Sequence, residues 1–403
     1  MWEPSPGRVQ QANLTAFTRA AEKEWGRSFP NFASLYRWSV ERPEEFWASL
    51  WNFCGVVAGR KWDQVVVNAD RMPGAKWFVG ARLNFAENLL RRRDQQPALI
   101  FRSERGERRE ISCAELYDQT ARLAHSLKKL GITQGDRVVG FLPNIPEAVI
   151  AMLAASSLGA IWSSCSPEFG LRGILDRFGQ ITPKVLFTAD GYTYNGKAID
   201  SLERVRGIAR EVPTLEKVVV VPYLKSNPSL DEIPNATSWQ ELLSQRAEEI
   251  QFEQLPFDHP VYILYTSGTT GVPKCIVHGG GGALLQHMKE HRLHTDLKAG
   301  ERIFYFSTCG WMMWNWLVSA LASEATVILY DGSPMHPGPQ ALFDMAAEER
   351  INVFGTSAGY LAAIEKAGLE PRRTHDLSAL KAILSTGSPL APRSFDYVYE
   401  KIK

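Results

Sequence analysis

From about residue 97 onward, short apolar runs alternate with longer stretches whose apolar residues recur at helical spacing. Residues 98–101, 137–141, 160–164, 185–188, 217–222, 261–266, 303–307, 326–330, 352–356 and 382–386 read as short buried strands. Between them, residues 112–130 are predicted to be a helix, with Ser112 as N-cap, a stripe of Ala114, Leu116, Ala121, Leu123, Ala124 and Leu127, and Gly131 as the stop. Residues 146–158, 201–210 and 339–349 read as further helices. Such alternation predicts an α/β fold of two mainly parallel, helix-covered sheets. Residues 1–80 differ: Trp2, Trp25, Trp38, Trp47, Trp51, Trp62 and Trp77, with Pro30 and Pro43 as breakers, suggest a helical, aromatic-rich wrap over a larger core. The basic run Arg91, Arg92 and Arg93 reads as the solvated end of a helix starting near Asn84. Residues 224–238 are the most loop-like stretch, so the expected lobes are 81–238 and 239–403.

Length supports this division, since 403 residues exceed the roughly 250–300 at which single cores stop growing. Net charge is +1, which argues against electrostatic binding of nucleic acid or of an anionic membrane. The five cysteines, Cys54, Cys113, Cys165, Cys275 and Cys309, include no Cys-x-x-Cys pair; this suits a reducing compartment and a cytoplasmic location rather than a disulfide frame or structural zinc. Residues 148–167 are twenty uncharged residues, the length of a membrane span. Their five serines, the break at Gly159 and the closing Pro167 favour a buried helix followed by a strand.

Candidate chemistry is concentrated in residues 265–274, Tyr265, Thr266, Ser267, Gly268, Thr269, Thr270, Gly271, Val272, Pro273 and Lys274, directly after a predicted strand. Glycines let backbone N–H groups approach an anion, hydroxyls add donors, and a lysine supplies a point charge. This is a phosphate loop, but not a Walker loop: two residues separate Gly268 from Gly271, and Pro273 precedes the lysine.

A hydrolase reading competes. Gly355, Thr356, Ser357, Ala358 and Gly359 match Gly-x-Ser-x-Gly between a strand and a helix, and His278, Gly279, Gly280 and Gly281 mimic an esterase oxyanion loop. The triad decides against it, because the only histidine after Ser357 is His375, eighteen positions on, with Glu365, Glu370, Asp376 and Asp396 as the acids around it, and neither chain order nor spacing fits.

The loop at 265–274 resembles the signature of the adenylate-forming superfamily, and the match is complete. Lys76, Trp77 and Phe78, with residues 83–90, look like the opening segment of its acetyl-CoA synthetase branch. The run Gly310, Trp311, Met312, Met313, Trp314, Asn315 and Trp316, followed by Tyr330, Asp331, Gly332, Ser333 and Pro334, is similar to the members of that branch whose acid is acetoacetate. The resemblance covers nearly the whole chain, and implies the large N-terminal domain of such an enzyme. The implied reaction activates a carboxylate with ATP to an acyl-adenylate, then transfers the acyl group to coenzyme A. Acetate and propionate remain alternative acids, and a non-catalytic nucleotide- or partner-binding role is the alternative of another class.

By this resemblance Thr266, Ser267, Gly268, Thr269, Thr270, Gly271 and Lys274 hold the ATP phosphates, with Mg²⁺ bridging them. Gly387, Ser388 and Pro389 lie along the adenosine. Trp311, Met312, Met313 and Trp314, with Gly355, Thr356 and Ser357 opposite, wall the acid pocket. Trp162, Ser163 and Ser164, with Lys197, face coenzyme A. The implied partners are small molecules, with no nucleic acid and no membrane.

Members of this superfamily are longer. A Thr-Glu motif, a ribose-binding aspartate and a small C-terminal lid domain carrying the main catalytic lysine have no counterpart up to Lys403. The expectation is a C-terminally incomplete domain that binds nucleotide weakly and does not turn over by itself, since a principal cation for the developing charge is missing.

Overall fold

Aromatic residues three and four apart make the N-terminal segment helical, and the computed structural model, which describes residues 3–244, 249–267 and 271–403, shows helices Pro6–Gln11, Asn13–Trp25, Phe32–Glu41 and Pro43–Cys54. They bury Phe17, Trp38 and Trp51 in the main core. Glu45 fastens them together: its carboxylate accepts from Trp38 Nε1 at 2.7 Å and pairs with Arg27 and Arg42. Asn13 docks the wrap, donating from its backbone N to Asp296 Oδ1 at 2.7 Å and from Nδ2 to Arg292 O and Leu297 O.

Strands β1 (Gln64–Val67), β2 (Lys76–Val79) and β3 (Arg82–Leu83) lead into the short helix Phe85–Leu89. Asn84 caps it, accepting from Glu87 N. The run that follows is not a solvated helix end. Arg91 folds back to donate to Asn88 O and Asn88 Oδ1, Arg92 pairs with Asp94 at 2.8 Å, and Arg93 lies 4.0 Å over the Tyr117 ring. A five-residue helix leaves its last carbonyls without intrahelical donors, and Arg91 supplies one.

Next come β4 (Pro97–Ser103), β5 (Arg108–Ser112), β6 (Arg137–Phe141), β7 (Ile161–Cys165), β8 (Val185–Ala189), the hairpin β9 (Gly191–Tyr194) and β10 (Lys197–Asp200), β11 (Lys217–Val221) and β12 (Ala236–Ser238). The second half adds β13 (Leu255–Pro256), β14 (Pro260–Tyr265), β15 (Cys275–Gly279), β16 (Arg302–Tyr305), β17 (Thr326–Asp331), β18 (Val353–Ser357) and β19 (Ala382–Thr386). Ser112 caps the helix Cys113–Lys129 through a capping box with Glu115.

Two large sheets result, with orders β12-β11-β8-β6-β7-β14-β15 and β19-β18-β16-β17-β4-β5, beside three two-stranded ones, β1-β2, β10-β9 and β13-β3. In the large sheets neighbours are parallel except β15 and β5, each an antiparallel edge strand. Their division is not at residue 238. β4 and β5 join the later sheet, while β14 and β15 cross into the earlier one. The loop expected to separate lobes ends instead in β12, which pairs with β11. Parallel pairing needs no sequence adjacency, so neighbours in a sheet are chosen by burial rather than by chain order.

The membrane-length stretch is the fully buried core. Helix Pro146–Ser157 buries every residue but Glu147, and β7 is buried throughout. No helix among the described residues is long and apolar enough to cross a membrane.

Candidate active site

The parallel strands of both sheets deliver their C-terminal ends to one seam, which is where open α/β sheets bind ligands. A cavity of about 430 Å³ opens there. Pro143, Asn144, Pro167 and Glu168 line it after β6 and β7; Phe306, Ser307 and Thr308 after β16; Tyr330, Asp331 and Gly332 at β17. The hairpin strand β9 closes it with Tyr192, Thr193 and Tyr194. No lysine or arginine stands among these lining residues. The cavity therefore suits an uncharged polar or amide-bearing chain better than a phosphate.

The candidate phosphate loop springs from β14. It joins an antiparallel pair, β14 and β15, rather than a strand to a helix. Its base is pinched: Thr266 N donates to Lys274 O at 3.0 Å, and Lys274 N donates to Thr266 Oγ1 at 3.0 Å. Lys274 is exposed and Gly271 has φ +138°, a backbone suited to glycine. Gly268, Thr269 and Thr270 lie outside the described residues. Tyr265 anchors the loop inward, its hydroxyl bonded to Ser163 Oγ at 3.0 Å, and burial pushes its pKa up.

Ser163 and its neighbours do not face solvent. Trp162 is 1 % exposed, and its Nε1 donates to Ser164 Oγ; Ser163 Oγ donates to Ile263 O; Ser164 Oγ donates to Cys309 O at 2.6 Å. β7 is a central strand with both faces covered, and the hydroxyls of Ser163 and Ser164 are spent on neighbouring backbone. What they do is tie β7 to β14 on one side and to the start of the tryptophan run on the other. Lys197 is exposed on β10 and lines no part of the cavity.

The tryptophan run splits by environment. Trp311 is 59 % exposed and precedes the helix Met312–Val318. Met312 and Met313 are half-buried. Trp314 is buried, and its Nε1 donates to Asn144 Oδ1 at 2.9 Å, so it braces the seam. Trp316 is likewise inside, donating to Glu290 Oε2.

On β18, Gly355 lies under the Tyr305 ring so closely that a Cβ there would fall 2.0 Å from Tyr305 Cδ2. Thr356 is buried and its Oγ1 has no hydrogen-bond partner among the described residues. Ser357 is no nucleophile elbow: its Oγ accepts from Tyr360 N as a helix N-cap, and His375 Nε2 pairs with Asp344. Gly387, Ser388 and Pro389 follow β19 as an exposed turn, with Gly387 at φ +90°.

Asp331, met in the sequence only as part of the run 330–334, lines the cavity. It is 6 % exposed, its Oδ2 accepts from Thr193 N, Thr193 Oγ1 and Tyr223 OH, and burial pushes its pKa up to about 6. Asn144, Glu168 and Tyr192, by contrast, carried no signal in the sequence. None belongs to a motif, and only the seam brings them together.

Residues 85–402 match the AMP-binding enzyme family, and residues 32–89 match the acetyl-coenzyme A synthetase N-terminus. The chain belongs to the AMP-binding enzyme family. The acetoacetyl-coenzyme A synthetase of Rhizobium meliloti (strain 1021) is 49 % identical over 407 residues, covering 100 % of this chain and 62 % of that protein. The acetoacetyl-CoA synthetase of Gallus gallus is 45 % identical over 412 residues, with 100 % and 62 % covered. A solved structure of acetoacetyl-CoA synthetase from Streptomyces lividans superposes with a TM-score of 0.95 at 44 % identity, covering 99 % of this chain and 62 % of that one. The chain thus spans 62 % of the length of these relatives.

Proposed function

We propose that this chain is the nucleotide- and acid-binding part of an enzyme that joins acetoacetate to coenzyme A through an acyl-adenylate formed from ATP. The observation that carries the reading is a continuous line of contacts. Tyr265, at the root of the phosphate loop, bonds Ser163; the next residue, Ser164, bonds Cys309 O; and Cys309 stands just before Trp311. A phosphate grip and an acid pocket are thereby fixed relative to one another, which is the positioning an in-line attack of a carboxylate on phosphorus requires.

In this reading Thr266, Ser267, Gly271 and Lys274, together with Gly268, Thr269 and Thr270, hold the β- and γ-phosphates. Gly387, Ser388 and Pro389 offer backbone to the adenosine. Trp311, Met312 and Met313 cover the acid from one side, with Gly355, Thr356 and Ser357 opposite and Trp314 acting through Asn144. The uncharged arm of coenzyme A takes the seam cavity, while Lys197 stands outside it for a phosphate. Mg²⁺ accompanies the nucleotide: such ions are held largely by phosphate oxygens and water with one or two carboxylates, and the loop's described hydroxyls, Thr266 and Ser267, suit phosphate rather than a metal cage.

The acid is tested by kcat/KM for acetoacetate, acetate and propionate on a protein of the relatives' length carrying this sequence. Acetoacetate is expected to lead, and a clear preference for acetate would refute the assignment.

A further inference from the structure

The hairpin β9–β10 leaves the seven-stranded sheet and is closed by Asn195 and Gly196, at φ 53° and 75°. This is the two-residue turn that favours Asn-Gly. Its tip is held by a residue of the other sheet. Glu104, in the turn between β4 and β5, accepts from Asn195 N at 2.9 Å through Oε2, from Gly196 N at 2.9 Å through Oε1, and from Ser333 N at 2.8 Å through Oε2. Two residues before the turn, Thr193 is held by Asp331 of β17, which accepts from Thr193 N at 3.3 Å, Thr193 Oγ1 at 3.0 Å and Tyr223 OH at 2.7 Å, all through Oδ2. Both carboxylates belong to the six-stranded sheet. The donors they hold are Asn195, Gly196 and Thr193 of the hairpin, Tyr223 in the loop after β11 of the seven-stranded sheet, and Ser333 after β17.

We propose that Glu104 and Asp331 are positioning residues that latch this hairpin across the seam, and so set the grip of Tyr192, Thr193 and Tyr194 on whatever fills the cavity. With coenzyme A as that occupant, the inference rests on the proposed function. A carboxylate taking backbone N–H groups makes bonds about twice as strong as neutral ones. The hairpin, paired only with itself, has no other sheet to hold it in place.

The two latches differ in a way that makes them testable. Glu104 uses both oxygens, so Glu104→Gln turns one acceptor into a donor facing an N–H. Asp331 uses one oxygen, so Asp331→Asn keeps its bonds while Asp331→Ala loses them. Hydrogen exchange of the 403-residue chain is expected to rise at least about tenfold over residues 191–200 in Glu104→Gln and Asp331→Ala, the worth of one such bond, and to rise less in Asp331→Asn, which keeps the acceptor oxygen without its charge. Exchange in β16 and β18 serves as the folding control.

Calorimetric titration with coenzyme A is expected to show about tenfold weaker binding in the two latch-breaking variants, with ATP binding unmoved. Unchanged exchange over residues 191–200 in Glu104→Gln, or exchange raised throughout the sheet, overturns the latch. Loss of ATP and coenzyme A affinity in equal measure overturns it too. Should the parent chain bind no coenzyme A while the exchange pattern holds, the latch stands and the cofactor assignment of the cavity falls.

Discussion

Trp314 donates its indole N–H to Asn144 Oδ1 at 2.9 Å, and both side chains are buried. Asn144 donates in turn to Ser307 O at 3.3 Å. One side chain therefore links the helix Met312–Val318 to the loop after β6, across the seam where the cavity lies. Trp314→Phe removes the donor and leaves Asn144 Oδ1 buried without it, an expected loss of about 1–3 kcal/mol. Denaturant titration of Trp314→Phe, Asn144→Ala and the double variant checks this; coupling below about 0.5 kcal/mol would mean that the bond carries little.

Gly355 is required by space. A methyl group there would meet the Tyr305 ring, which is itself pinned by its hydroxyl donating to Thr356 O at 3.0 Å. Gly355→Ala is expected to cost about 1–3 kcal/mol as an overpacked core position. Under the proposed assignment of β18 to the acid pocket, acid binding is expected to fall with it. A thermal midpoint equal to the parent's would contradict this.

Glu349 is 3 % exposed and gathers Arg102 at 2.7 Å, Arg108 at 2.8 Å and Arg302 at 3.6 Å. Burial alone would raise its pKa, but hydrogen bonds from Arg108 and Arg102 outweigh it and hold the carboxyl below its usual range. The network binds β4, β5 and β16 to the end of the helix Ala341–Glu348. Glu349→Gln leaves three guanidinium groups without their shared anion, and about 3 kcal/mol of destabilisation is expected by equilibrium unfolding.

His287 and His291 predict acid sensitivity. Ser319 Oγ already donates to Asn315 O, so His287 Nδ1 is the donor to Ser319 Oγ; His291 Nε2 donates to Trp316 O, leaving Nδ1 as an acceptor without a partner among the described residues. Burial pushes the pKa of His287 down to about 3, helped by the charges of His291 and His278, and that of His291 down to about 4. Folded pKa values below the unfolded one make stability complete above about pH 6.5 and lost as pH falls toward 4. Each histidine contributes a slope of up to about 1.4 kcal/mol per pH unit in that window. In His291→Asn the slope of unfolding free energy against pH between 6.5 and 4.5 is expected to drop by about one proton; an unchanged slope would refute the assignment.

Much of the fold was legible because its signals are local. Ser112, Gly131 and the apolar run of β6 each act within a few residues, and the structure places all three where the pattern did. β15 escaped notice because Ile276 and Val277 belong to a half-exposed edge strand without the alternation that marks one. Arg91 was misread because a run of three charges resembles solvent-facing surface until the Asn88 oxygens are placed beside it.

The phosphate loop marks the boundary between what sequence and tertiary structure each decide. The sequence by itself determined the loop's chemistry, the α/β rhythm and the kinship with adenylate-forming enzymes, since glycine, hydroxyl and lysine content and apolar periodicity are properties of neighbouring residues. Only the tertiary structure decided that β14 leaves the second half of the chain to pair with β7, that Trp162 and Trp314 face inward, and that Glu104 and Asp331 reach across the seam to the hairpin. Those outcomes depend on which buried surfaces fit and which polar groups find partners far along the chain, and nothing local encodes them.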